Sequence, residues 1–98
     1  MDDSLEPVVR EVIILNREGF HSRPVMRFVD VAQRFDSDIR VTSLKNEDET
    51  VDGKSAMELM VLGATKGTAL RIAATGIDAG RAVEALVELV RNRFGTEA

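Results

Sequence analysis

Two hydrophobic periodicities alternate along this chain, and their order limits the folds that it can adopt. Apolar residues recur at every second position, or almost without a break, in segments 8–15, 39–43 and 68–75, which predicts strands. Apolar residues three or four positions apart follow residue 22 and residue 78, which predicts helices. The chain is therefore expected to interleave strands with helices that pack on them.

Turn and capping residues add a short strand and a short helix. Residues 45–49 are mostly charged and hold no apolar side chain, which predicts a hairpin turn into a short strand at 50–52. Ser55 and Glu58 have the spacing of a capping box, in which Ser55 accepts from a helical amide and Glu58 reaches back to the cap. A short helix should therefore follow and end at Gly63.

The last helix is expected to begin after Asp78, which can cap it, and to carry one apolar stripe as far as Phe94. Gly95 would end this helix. The full element order is then β-α-β-β-α-β-α. That order predicts a small α+β layer structure, in which one sheet carries all three helices on one face.

Length and composition bound the domain count and the class of protein. With 98 residues, 44% apolar and 31% charged, the chain is expected to form one domain over residues 8–95 after a flexible tail at 1–7. The absence of cysteine excludes a disulfide framework, a Cys-ligated zinc site and a thiol nucleophile. The net charge of −4 disfavours a nucleic-acid binder. The acidic start and the lack of an apolar run of roughly twenty residues predict a cytoplasmic location, with no signal peptide or membrane span.

The single histidine lies at the junction between the first strand and the first helix, followed by Arg23 and Pro24. The first turn of a helix leaves amide donors unpaired at the positive end of the dipole, so a phosphoryl group on His21 would be held there. Arg23 adds a charged fork that suits phosphate oxygens, and Pro24 has no N–H to waste. The same helix end disfavours a cationic imidazole, which favours the neutral form that a nucleophile needs.

Spacing alone leaves plainer interpretations open. His21 fits a polar junction residue, Arg23 a surface charge and Pro24 a common helix starter. A Ser-His-Asp triad is disfavoured because no serine has the context of a nucleophile elbow. Capping is by itself a sufficient reason for a serine at position 55.

The short second helix carries more apolar residues than one buried face can hold. Met57 and Met60 would by themselves suit a core. The neighbouring residues Ala56, Leu59 and Val61 are also apolar, so some of the five should be exposed. An exposed apolar patch is typical of a docking site.

Three motifs, in this order, resemble those of the histidine-containing phosphocarrier family HPr of the bacterial sugar phosphotransferase system. They are Gly19-Phe20-His21-Ser22-Arg23-Pro24, Gly53-Lys54-Ser55-Ala56-Met57 and Leu62-Gly63-Ala64-Thr65-Lys66-Gly67-Thr68. The resemblance extends from about Val8 to Phe94. It implies an open-faced β-sandwich with four antiparallel strands and three helices, which agrees with the element order above.

The resemblance also implies functions for single residues. His21 would accept a phosphoryl group on Nδ1 from phosphorylated Enzyme I, which phosphoenolpyruvate charges, and pass it to the A domain of a sugar-specific Enzyme II. Arg23 would assist at the phosphoryl group, with Pro24 in the same site. Ser55 would be phosphorylated by an ATP-dependent HPr kinase/phosphorylase as a regulatory mark. The positions that correspond to the family's apolar docking surface are Phe20, Ala56, Met57 and Met60.

Some departures from the family concern the choice of partner. Val25 stands where the family usually has alanine and is expected to crowd the turn behind the histidine, and the turn at 45–52 is longer and more acidic than in most members. The acidic hairpin and the segment 23–28 are similar to the nitrogen-related branch, which is one alternative. The other is a regulatory binding module in which His21 is not phosphorylated and Ser55 controls an interaction. The His-x-Arg-Pro set favours the carrier over such a module, which has no need of it. The chain is expected to be a monomeric phosphocarrier that is not itself an enzyme and needs no metal or other cofactor.

Overall fold

The structure, a computed structural model, describes residues 6–45 and 49–95. Its elements are β1 (Val8–Ile13), α1 (Ser22–Ala32), β2 (Asp38–Ser43), β3 (Thr50–Asp52), α2 (Ala56–Leu62), β4 (Ala69–Thr75), α3 (Ala79–Arg91) and a 3-10 turn (Arg93–Gly95). The predicted order β-α-β-β-α-β-α is confirmed. Most of the tail expected at 1–7, and residues 46–48 of the expected hairpin turn, lie outside the described residues.

The four strands form one antiparallel sheet in the order β1-β4-β2-β3. Val12 is opposite Leu70, and Val41 is opposite Ile72, so these residues share one face of the sheet. All four are buried. The strand periodicity of the sequence therefore has its cause in a sheet that is covered on one side only.

All three helices pack on that covered face, as predicted. α3 lies across β1 and β4, and α2 lies against β2 and β3. Arg10 of β1 points to the same side and pairs with Glu84 of α3 at 3.2 Å. The opposite face is open, with Arg71 and Glu11 3.7 Å apart in neighbouring strands. This is the open-faced architecture that the family resemblance implied.

The core lies between the sheet and the helices. Its largest fully buried side chains are Phe28, Phe94, Ile14, Ile39, Leu59, Leu70, Ile72 and Leu86. Phe94 was expected on the stripe of the last helix, and this is wrong. α3 ends at Arg91, and both Arg93 and Phe94 have positive φ, 54° and 57°. The change of backbone direction turns the Phe94 ring into the core beside the ring of Phe20, 5.7 Å away between centroids.

The predicted capping box at Ser55 forms only in part. The Ser55 hydroxyl accepts from the amide of Glu58 at 3.2 Å, which confirms the cap. The Glu58 carboxylate does not return to Ser55 but accepts from the amide of Asp52 at 2.9 Å. The amide of Ser55 is already bonded to the carbonyl of Asp52 at 3.1 Å, so Glu58 binds the next free donor.

The expected side-chain cap of Asp78 is also wrong. Asp78 occupies the N-cap position of α3, but its carboxylate does not bond to the amides of that helix. It accepts instead from the amides of Asp36 and Ser37, at 2.9 and 3.0 Å, and from the Ser37 hydroxyl. Asp78 therefore joins the start of α3 to the turn between α1 and β2.

Candidate functional site

The loop between β1 and α1 is held by a short network of hydrogen bonds. Asn16 is 2% exposed and donates from Nδ2 to the carbonyl of Gly19 at 2.8 Å. Within the loop, the amide of Gly19 donates to the carbonyl of Asn16 at 3.2 Å, and the amide of His21 donates to the carbonyl of Gly19 at 2.9 Å. The amide of Phe20 donates to the carbonyl of Ala64 at 2.9 Å, which ties the loop to the segment after α2. These bonds fix the backbone that presents His21.

Gly19 is required by this loop for two independent reasons. Its φ of 66° lies in the left-handed region that L side chains rarely adopt. A Cβ at this position would lie 2.6 Å from the carbonyl oxygen of Ala64 and 2.7 Å from Cα of Thr65. The glycine before the histidine therefore permits a close approach of two backbone segments.

His21 is the N-cap residue of α1, with extended backbone angles of −87° and −179°. Its carbonyl accepts the first helical bond, from the amide of Val25 at 2.9 Å. Its side chain is 65% exposed and does not bond to the helical amides. The imidazole is thus accessible to another molecule while it lies at the positive end of a helix.

The residues after His21 form the first turn of α1. By helix geometry the amides of Ser22 and Arg23 have no acceptor within the helix, and Pro24 has no amide to satisfy. Arg23 is exposed and, among residues 6–45 and 49–95, has no hydrogen-bond or ion-pair partner. Val25 is fully buried and makes a first helical bond of ordinary length, so the crowding expected behind the histidine is not seen at this bond.

Glu18 lies beside the histidine, and the sequence analysis missed it. Its Oε1 is 3.7 Å from Nδ1 of His21, and both side chains are about two-thirds exposed. Residues three apart are neighbours on a helix, but these two precede the helix. The tight turn at Gly19 brings them together, so only the backbone conformation reveals the contact.

Phe20 supports the loop from the core. It is 5% exposed, and its ring makes an edge-to-face contact with Phe28 at a centroid distance of 5.4 Å. The resemblance had placed Phe20 on an apolar docking surface. The structure instead buries its side chain, because the ring fills the space between Phe28 and Phe94. A part for Phe20 in docking stays a prediction.

The surface of α2 exposes three apolar side chains: Met57, Met60 and Val61. Their exposed fractions are 77%, 47% and 74%, whereas Leu59 and Leu62 of the same helix are buried. The expectation that some of these residues face solvent is confirmed. We call Met57, Met60 and Val61 the α2 patch. Ser55 and Ala56, half-buried, lie at the start of the same helix.

Other kinds of site have little support in the described part of the chain. Residues 6–45 and 49–95 contain no cluster of three or more histidine, aspartate or glutamate side chains that suits a metal ion. No described helix is long and apolar enough to cross a membrane.

Known proteins share both the sequence and the fold of this chain. The family model for the PTS HPr component phosphorylation site matches residues 8–92. Phosphocarrier protein HPr of Pseudomonas aeruginosa is 44% identical over 84 residues, which cover 86% of this chain and 91% of that protein. HPr of Neisseria meningitidis is 40% identical over 86 residues, with coverages of 88% and 93%. The crystal structure of HPr from Thermoanaerobacter tengcongensis has a TM-score of 0.86 at 35% identity and covers 93% of this chain and 99% of that one.

Proposed function

This chain belongs to the HPr family, the phosphocarrier components of the phosphotransferase system (PTS), and on that basis we propose that His21 is the residue that carries the phosphoryl group. The observation that carries the proposal is the exposed imidazole at the N-cap of α1. An anion on this ring lies at the positive end of the helix, next to amides without helical acceptors. Arg23, in the first turn of the helix and without a described partner, supplies a charged fork for the phosphoryl oxygens.

Transfer needs a lone pair at Nδ1, which the neutral imidazole has when its proton is on Nε2. Nδ1 attacks the phosphorus atom that phosphorylated Enzyme I presents. A P–N bond forms at Nδ1 while the phosphoryl group's bond to Enzyme I breaks, and the electron pair of that bond stays on Enzyme I. Onward transfer to the A domain of a sugar-specific Enzyme II repeats the step, with that domain supplying the electron pair. Enzyme I and the Enzyme II A domain are therefore the two partners of this carrier.

The test of His21 is incubation of the purified chain with Enzyme I and phosphoenolpyruvate, read by intact-mass measurement. The wild type should gain the mass of one phosphoryl group, and mild acid should remove it. His21→Ala should gain none. Its melting temperature should equal that of the wild type, because the imidazole is 65% exposed. Phosphorylation that survives in His21→Ala would contradict the proposal.

We also propose that Ser55 is a regulatory phosphorylation site for an ATP-dependent HPr kinase/phosphorylase. Ser55 is half-buried at the N-cap of α2, directly before the α2 patch. A phosphate there would bring about −1.5 to −2 charges next to an apolar surface. Enzyme I brings its own phosphorylated group to His21, so added negative charge on a shared docking surface would oppose its approach.

A further inference from the structure

A negative charge lies next to Nδ1 of His21, and the transfer of the phosphoryl group does not require it. The carboxylate oxygen Oε1 of Glu18 lies 3.7 Å from Nδ1. Of the acidic side chains among residues 6–45 and 49–95, Glu18 alone lies within ion-pair distance of the histidine. A cation there would help to hold a phosphoryl group, whereas a carboxylate repels it.

The contact follows from the shape of the loop. Gly19, between the two residues, has the left-handed φ of 66°, and the His21 amide bonds back to the Gly19 carbonyl at 2.9 Å. Asn16, buried beneath the turn, donates to the same carbonyl at 2.8 Å. Because the backbone on both sides of Glu18 is held, its carboxylate and Nδ1 stay on the same side of the turn. Their proximity is therefore a property of the loop as well as of one side-chain rotamer.

We propose that Glu18 weakens the hold of Nδ1 on the phosphoryl group and so raises the tendency of the phosphorylated carrier to pass it on. This inference rests on the proposed role of His21. Two effects act in the same direction. When Nδ1 carries a proton, the Glu18 carboxylate 3.7 Å away attracts that N–H and so stabilises the unphosphorylated carrier. When Nδ1 carries the phosphoryl group, the carboxylate and the phosphoryl oxygens repel each other.

On transfer to the acceptor, the P–Nδ1 bond breaks and its electron pair stays on Nδ1, while a lone pair of the acceptor forms the new bond to phosphorus. Nδ1 then takes a proton from water while Nε2 returns one to water, so the ring stays neutral with its N–H beside the Glu18 carboxylate. The carboxylate itself forms no covalent bond and acts only through its charge.

The expected effect is modest because both side chains are well solvated. Like unit charges about 4 Å apart in water change an equilibrium constant about fivefold. The phosphoryl group carries about one to two negative charges, and salt at about 0.1 M screens roughly a third of the repulsion, so removal of the Glu18 charge should favour the phosphorylated carrier by about three- to tenfold. The effect should shrink in about 1 M salt, where charges are screened beyond about 3 Å.

The test is a direct competition between two carriers for a limited supply of phosphoryl groups. Wild type labelled with nitrogen-15 is mixed with unlabelled Glu18→Gln, catalytic Enzyme I and less phosphoenolpyruvate than total carrier. Enzyme I equilibrates the groups, and intact masses give the phosphorylated fraction of each protein. Asp30→Asn is the matched control. It removes the same charge from an exposed residue of α1 about 13 Å further along the helix axis.

Glu18→Gln should hold three to ten times more phosphoryl groups than the wild type at low salt, and Glu18→Lys more again. Asp30→Asn should share them equally with the wild type. Equal sharing between the wild type and Glu18→Gln would overturn the inference while leaving His21 as the carrier. An excess that does not fall with salt would also overturn it, since a change of loop structure is not screened. If no protein is phosphorylated, the role of His21 itself is wrong.

Discussion

At the scale of single residues, Arg23 differs from the arginines further along α1 and just after it. Arg34 pairs with Asp30 at 3.5 Å, and Arg27 lies beside Gly95 in the turn after α3. Arg23 is exposed near His21 and has no partner among the described residues. An unpaired guanidinium next to a phosphoryl acceptor is available for the transferred group, and its geometry matters because the fork binds two oxygens at once.

Arg23→Lys should therefore fold normally and transfer more slowly, because a point charge replaces the planar fork. We expect Arg23→Ala to lose about tenfold in the rate of phosphorylation by Enzyme I, which corresponds to one charge-assisted hydrogen bond, and Arg23→Lys to lose less. Reactions quenched at a series of times, with the phosphohistidine measured in each sample, give the rates. Arg34→Lys, just after the end of the same helix, should transfer as the wild type does. Unchanged rates in Arg23→Ala would show that Arg23 is an ordinary surface residue.

The sequence was enough to single out His21 as a candidate but not to show that Glu18 lies beside it, and the difference has a physical cause. One histidine between a strand pattern and a helix pattern is identifiable from order alone. The neighbourhood of Glu18 depends on the φ of Gly19 and on the bond from buried Asn16, and neither follows from hydrophobic periodicity. Phe94 is a second example. Its spacing in the sequence fits the apolar stripe of α3, but Arg93 and Phe94 have positive φ, so Phe94 lies outside the helix.

At the scale of elements, the ends of helices depend on contacts between elements. Gly63 ends α2 as expected, with φ of 64°, because that position uses only local backbone geometry. Asp78 was expected to serve its own helix, yet it binds amides about forty positions earlier in the chain. Local capping rules pair a capping side chain with the free amides of the helix that it precedes. A compact fold brings distant donors closer, which a single sequence does not reveal.

The Asp78 contact predicts how stability depends on pH. Hydrogen bonds from the Ser37 hydroxyl and the Asp36 amide hold the pKa of Asp78 below its ordinary value of 3.8. A lowered pKa in the folded state means that the carboxylate stabilises the fold above pH 3.8, and that this contribution is lost as the pH falls through the folded-state pKa. Asp78→Asn should therefore melt several degrees lower at pH 7, with a difference that shrinks in acid.

Thermal melts of the wild type and Asp78→Asn between neutral and acid pH provide the measurement. Asp30→Asn is the control, because Asp30 is exposed and its only described partner is Arg34, just after the end of α1. It should melt close to the wild type at every pH. A melting difference for Asp78→Asn that stays constant into acid would show that the carboxylate charge contributes nothing at this junction.

At the scale of the whole molecule, the His21 and Ser55 sites are joined through packed elements. α1 begins at one site and packs against α2, which begins at the other. The bond from the Phe20 amide to the Ala64 carbonyl adds a second link between the two regions. A partner that covers the α2 patch and reaches the imidazole would therefore meet any charge placed on Ser55.

Ser55→Asp should slow phosphorylation of His21 by Enzyme I several-fold without loss of the fold. Aspartate keeps a side-chain oxygen at the N-cap of α2, so its melting temperature should be equal to or above that of the wild type. Ser55→Ala, the matched control, should transfer at a near-normal rate and lose about 1 kcal/mol of stability. Rates and melts are measured on the same preparations. A normal rate in Ser55→Asp would leave Ser55 as a helix cap without control over the carrier.

The strand order limits when this protein can fold during its synthesis on the ribosome. β4, the last of these strands to be synthesised, is hydrogen-bonded to both β1 and β2, and β1 has no other neighbour. β1 therefore cannot join the sheet until β4 exists. At roughly 5–20 residues per second, the chain between Ile13 and Ala69 takes about 3 to 11 seconds to synthesise. During that time the nascent β1 has no partner strand within its own chain. The domain therefore matures as one unit once α3 has emerged, and the interval before then is when its apolar strand is open to other chains.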